Sequence, residues 1–215
     1  MSISPGSALT RRGEQIYWAI PTNGDAPRQI ATMSIRESER NTRWLQWSPD
    51  SQYLLINFHG AVYNLAGERV LTGGIGSWVP NQEEATVTFY ENKRYKLITI
   101  GGQEATIVTS GPVSNAAFSK DGQRFAYFLG DSNQARLKVF ELGENKNIDV
   151  APLATNMLYL RKLSWNADSS SLIYQHTNFS GNPEDDSIWI VPAEANQSPI
   201  ELFSPGVLVG VVPMP

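Results

Sequence analysis

Few residues in this chain are equipped for chemistry. Its 215 residues include no cysteine and two histidines, His59 and His176, so disulfides, thiolate metal ligands and cysteine nucleophiles are excluded. A hydrolytic triad needs an imidazole beside a nucleophile and a carboxylate, and a zinc site typically shows closely spaced ligands. The two histidines meet neither pattern: each falls near the end of a separate strand-like run. Gly73-Gly74-Ile75-Gly76 has the glycine density of a phosphate loop but lacks the Lys-Ser/Thr pair and the helix that would follow it, so it reads as a connection. The carboxylates lie in tight turns (Asp50, Asp121, Asp168) or in the clusters Glu83-Glu84 and Glu184-Asp185-Asp186. Asp in such a turn bonds its own backbone, and the clusters read as solvated loop tips. No catalytic residue, metal set or cofactor is expected.

The elements that would position any site come from a repeat, which is the strongest signal here. Trp47-Ser48-Pro49-Asp50-Ser51 precedes the strand-like Tyr53–Phe58; Phe118-Ser119-Lys120-Asp121-Gly122 precedes Arg124–Phe128; Trp165-Asn166-Ala167-Asp168-Ser169 precedes Leu172–Gln175. A weaker copy, Trp78-Val79-Pro80-Asn81, precedes Ala85–Tyr90. The aromatic anchors Trp47, Trp78, Phe118 and Trp165 are spaced by 31, 40 and 47 residues. Each unit reads as aromatic, type I turn, β-branched or aromatic strand, then further strands separated by glycine turns. No stretch carries a sustained 3.6-residue apolar period. The segment Ile16–Pro21 matches Ser187–Pro192, and Val207–Pro213 matches an innermost strand, with Pro213 placed like Pro49 and Pro80.

These units resemble the TolB-like, WD-repeat-related β-propeller repeat over about Ile16 to Pro213. The resemblance implies one all-β propeller domain spanning 1–215, with residues 1–14 as a flexible lead-in. Five blades of mostly four antiparallel strands are expected, closed by pairing Ile16–Ile20 and Val207–Val212 within one blade. It also implies a protein-interaction scaffold that works through one face and catalyses nothing. Some five-bladed propellers are glycosidases, which place paired carboxylates on their innermost strands. The four residues before each anchor, 43–46, 74–77, 114–117, 161–164 and 207–210, include no Asp or Glu, which disfavours that activity.

Within those windows Arg43 and Arg161 share one repeat position, four residues before the anchor, and Trp44 and Lys162 follow them. Two cations beside an indole at a channel mouth suit an anionic or carboxylate-bearing ligand, so Arg43, Trp44, Arg161 and Lys162 are the candidate binding residues of the alternative, a small-ligand, anion or glycan binder. Composition narrows the partners. Net charge is −4, with 41% hydrophobic and 18% charged residues, which suits an ordinary folded protein and argues against nucleic acid or an anionic membrane surface. The N-terminus lacks the basic and apolar regions of a signal peptide, and the apolar run Val207–Val212 is too short to span a bilayer. Compartment is left open, and the expected partner is another protein or a small anion.

Overall fold

A computed structural model describes residues 3–9, 13–34, 45–57, 60–102, 104–107, 113–130, 134–153, 159–177 and 185–208. Among these there is no α-helix; strands form five antiparallel sheets, each a meander of chain-consecutive strands. The chain divides into two compact units, Met1–Val108 and Thr109–Pro215. The first unit holds β1 (Ile3–Leu9), β2 (Glu14–Pro21) and β3 (Arg28–Ser34) in one sheet; β4 (Leu45–Trp47), β5 (Tyr53–Ile56), β6 (Ala61–Asn64) and β7 (Arg69–Thr72) in the next; and β8 (Ile75–Trp78), β9 (Thr86–Glu91), β10 (Arg94–Thr99) and β11 (Glu104–Thr106) in the third. The second unit holds β12 (Val113–Phe118), β13 (Arg124–Gly130), β14 (Ala135–Glu141) and β15 (Lys146–Leu153), then β16 (Leu160–Trp165), β17 (Ser171–His176), β18 (Ser187–Pro192) and β19 (Ile200–Phe203).

Continuous apolar runs such as Tyr53-Leu54-Leu55-Ile56 arise because these strands are covered on both faces. Successive side chains of a strand point to opposite faces. Leu54 and Ile56 accordingly pack with Tyr17, Ala19, Ile30 and Ala31 on one side, while Leu55 packs with Val62, Trp78, Val87 and Phe89 on the other. In the second unit one core, including Phe128, Leu137, Val139, Leu160, Leu172 and Val191, joins both sheets.

The turn sequence is built the same way in three units. The residue after the anchor accepts the backbone N–H five residues on: Ser48 Oγ from Tyr53 at 2.9 Å, Ser119 Oγ from Arg124 at 2.9 Å, and Asn166 Oδ1 from Ser171 at 3.0 Å. The turn Asp accepts the N–H two residues on: Asp50 from Gln52 at 3.1 Å, Asp121 from Gln123 at 3.0 Å, and Asp168 from Ser170 at 2.8 Å. These are the local side-chain bonds that favour Asp, Ser and Asn in turns. The anchors tie sheet to sheet: Trp78 Nε1 donates to the Gln46 carbonyl at 2.9 Å and Trp165 Nε1 to Ala117 at 3.0 Å, each just before the anchor of the preceding sheet. The buried Trp47 Nε1 has no acceptor among the described residues.

Gly73 and Gly74 connect β7 to β8, as the missing Lys-Ser/Thr suggested, and Gly76 lies within β8. A Cβ on Gly74 would lie 1.9 Å from the Tyr90 carbonyl oxygen, and one on Gly73 2.5 Å from the Phe89 ring. The neighbouring antiparallel strand β9 leaves no room for a side chain.

Ile3–Leu9, which falls within the expected lead-in, forms β1 and pairs with β2 from Ile3↔Pro21 to Leu9↔Gln15. The neighbour expected in the blade of β2, Val207–Val212, begins with Val207 and Leu208 outside any strand, and residues 209–212 lie outside the described residues. A hairpin partner a few residues away needs little loop-closure entropy. Pro5 and Gly6 hide the strand from pattern reading, yet β1 is at the edge of its described sheet, where proline's missing N–H is tolerated.

Candidate functional site

The inner strands of the second unit carry matching irregularities. Three residues before each anchor the register shifts, between Ser114 and Ala116 in β12 and between Arg161 and Leu163 in β16. The extra residue adopts a left-handed backbone, Asn115 at φ 40° and Lys162 at φ 37°, as at a bulge that re-aims a side chain. Asn115 Nδ2 donates to the Leu160 carbonyl at 3.1 Å, and Lys162 Nζ donates to the Leu208 carbonyl at 2.6 Å. Lys162 thus holds the segment that follows β19. The N–H of Leu208 donates to Gln175 Oε1 at 3.2 Å, and Gln175 Nε2 donates to Asp186 Oδ2 at 2.7 Å, so both backbone groups of Leu208 are bound by side chains of one sheet.

Arg161 is exposed and stands opposite Gln175 in the register, next to the pair Leu160↔His176. His176 lies 6.0 Å from the Tyr159 ring, centroid to centroid. Burial lowers its imidazole pKa, and the charges of Asp186 and Glu201 oppose that shift. Arg161 and Lys162 are therefore adjacent at one polar end of the last sheet. Arg43 and Trp44, the other two candidate residues, lie outside the described residues. Among the described residues no group of three or more His, Asp and Glu could hold a metal ion.

A second feature of this sheet was not singled out from the sequence. Outer strands present unpaired backbone groups that natural sheets usually cover or charge. The edge of β15 is covered: Asn196 N–H donates to the Asp149 carbonyl at 3.0 Å and Gln197 N–H to Val150 at 2.7 Å. On β19 all four residues are exposed, with Ile200 at 62%, Leu202 at 43% and Phe203 at 65%, and Val207 follows at 51%. Exposed Glu201 and Glu194 add negative charge. The legible signal was composition: Ile200-Glu201-Leu202-Phe203, in the fourth-strand place, carries large apolar side chains on both sides of one carboxylate.

The meandering antiparallel sheets and the anchors that tie them define an all-β protein of the β-propeller type. Three solved structures are similar to it. The Kuenenia stuttgartiensis hydrazine synthase matches with TM-score 0.56 at 10% identity, over 91% of this chain and 64% of that one. The β-propeller domain of Myceliophteria thermophila Cps50 (Swd1) matches with TM-score 0.51 at 14% identity, over 86% and 62%. TolB from Acinetobacter baumannii matches with TM-score 0.46 at 13% identity, over 93% and 57%. The chain thus spans less than two thirds of the length of each of these structures. No protein-family model matches the sequence, and no curated protein is similar to it in sequence.

Proposed function

We propose that this propeller is a non-catalytic protein-interaction scaffold that takes an extended, basic and apolar segment of a partner protein along the edge of β19. The observation that carries the reading is the wholly exposed outer strand Ile200–Phe203, with Ile200, Leu202 and Phe203 all open to solvent. An added strand satisfies the open backbone groups, and pockets for alternate side chains supply selectivity. Contiguous exposed apolar surface is the mark of an interaction site. Glu201 and Glu194 favour a partner bearing Lys or Arg. They disfavour a second copy, which would bring like charges onto the same edge. The lack of Asp and Glu in the innermost windows supports a binding role over glycoside hydrolysis.

The test is selection of phage-displayed random peptides on the intact protein, followed by fluorescence polarisation with the synthesised winners. Peptides alternating apolar residues with Lys or Arg are expected, bound at least about tenfold more weakly by the Ile200→Asp/Phe203→Asp variant at an unchanged melting midpoint. Glu201→Lys should weaken them as well. Peptides that bind wild type and both variants equally, or that carry no basic residue, overturn the reading.

A further inference from the structure

A cleft of about 310 Å³ opens in the first unit between β3 and the pair β6–β7, at the small end of the range for small-molecule sites. Its walls follow from register: Tyr63 is opposite Arg69 and Ala61 opposite Thr72 on one side, and Thr32, Met33 and Ser34 form the other. Tyr63 and Met33 are half-buried against the core of this unit, so the cleft has an apolar floor with hydroxyls and one guanidinium at its rim.

The charge of Arg69 is what sets this cleft apart. Several strand cations on the other sheets are met by carboxylates, Lys96 by Glu91 and Glu104 at 3.2 and 2.9 Å, Lys138 by Asp149 at 3.2 Å, and Lys146 by Glu144 at 3.6 Å, while Arg124 and Lys162 are held by backbone carbonyls. No ion pair of Arg69 is found among the described residues. Its neighbour Glu68 is engaged elsewhere, accepting Asn64 Nδ2 at 2.7 Å. Thr32 Oγ1 accepts Gln29 Nε2 at 2.8 Å, which leaves its hydroxyl hydrogen to donate into the cleft.

We propose that this cleft binds a small organic carboxylate, with its carboxylate on Arg69 and its apolar body against Tyr63 and Met33. The planar fork of a guanidinium matches a carboxylate through two parallel hydrogen bonds, which a lysine ammonium does not reproduce. Threonine and serine hydroxyls fix orientation from the opposite wall. The site is separate from the edge of β19 and stands or falls independently of it.

Titration of the whole, 15N-labelled protein with benzoate, succinate, benzyl alcohol and inorganic phosphate, followed by NMR, tests the inference. Benzoate should shift the amides of Thr32, Met33, Ser34 and Thr72 saturably, and benzyl alcohol should bind at least about tenfold more weakly. Arg69→Gln should weaken benzoate by a similar factor and Arg69→Lys by less, both at an unchanged melting midpoint because the side chain is exposed. Thr72→Val, which leaves the charge in place, should weaken it by a smaller factor. The proposal is overturned if no carboxylate shifts these amides, if Arg69→Gln binds as wild type does, or if phosphate binds where neither carboxylate does.

Discussion

Replacing Ser119 by alanine tests the repeated turn at its most buried point. Ser119 has no exposed surface; its hydroxyl donates to Asp121 Oδ1 at 2.5 Å and accepts the Arg124 N–H at 2.9 Å. Alanine removes both bonds and leaves the Arg124 N–H without its side-chain acceptor. A neutral hydrogen bond contributes about 1 kcal/mol net and one to a charged group about 1.5–3 kcal/mol, so the expected loss is about 2–3 kcal/mol. For a chain of this size that lowers the melting midpoint by roughly 4–12 °C. Asp121→Asn keeps an acceptor oxygen and should cost less. The Ser119 hydroxyl, then the Gln123 N–H, hold the Asp121 carboxyl below the usual carboxylate range. Because the folded value is the lower one, this stabilisation is complete above the unfolded carboxylate pKa of about 4 and is lost as pH falls through the folded value. The difference between wild type and Asp121→Asn should therefore close below about pH 4. Once Ser119 is alanine, adding Asp121→Asn should change little, since the main partner is gone. Calorimetry across pH reads all three. A Ser119→Ala midpoint within about 2 °C of wild type, or a double variant that loses the full sum, refutes the account.

Gly74→Ala should prevent folding or lower the midpoint sharply, since its Cβ would sit 1.9 Å from a backbone oxygen, whereas Gly143→Ala meets nothing within 4 Å and should be neutral; parallel thermal melts decide this. Gln175→Leu removes the acceptor of the Leu208 N–H and should speed its hydrogen exchange by about tenfold, with Lys162→Met loosening the same segment from the carbonyl side. Burial lowers the His176 pKa, so its contribution is complete above the unfolded value of about 6.5 and is lost as pH falls through the folded one. Urea melts should show wild type losing stability on that side and His176→Gln losing less.

What the sequence revealed and what it hid follow from the range of the forces involved. The turns were legible because Asp50, Asp121 and Asp168 bond to backbone two residues away, so their chemistry is written locally. The sheet-spanning anchors were legible because an aromatic is needed at one fixed place per unit. Strand β1 was not, since Pro5 and Gly6 break the alternating pattern while its pairing with β2 supplies the order. The candidate site shows the sharper limit. Equivalent spacing from Trp165 gave Lys162 a position on an inner strand and no direction. Direction came from the bulge between Arg161 and Leu163 and from φ 37° at Lys162, a backbone state no lysine advertises. That twist turns the ammonium onto the Leu208 carbonyl. Asn115, an asparagine rather than a cation, is turned in the same way onto Leu160. A role shared by Asn and Lys at one repeat position is donation to a neighbouring backbone, which either side chain performs. Positive charge at that position is therefore weak grounds for an anion site. The stronger grounds lie where a cation has no carboxylate among the described residues, as at Arg69.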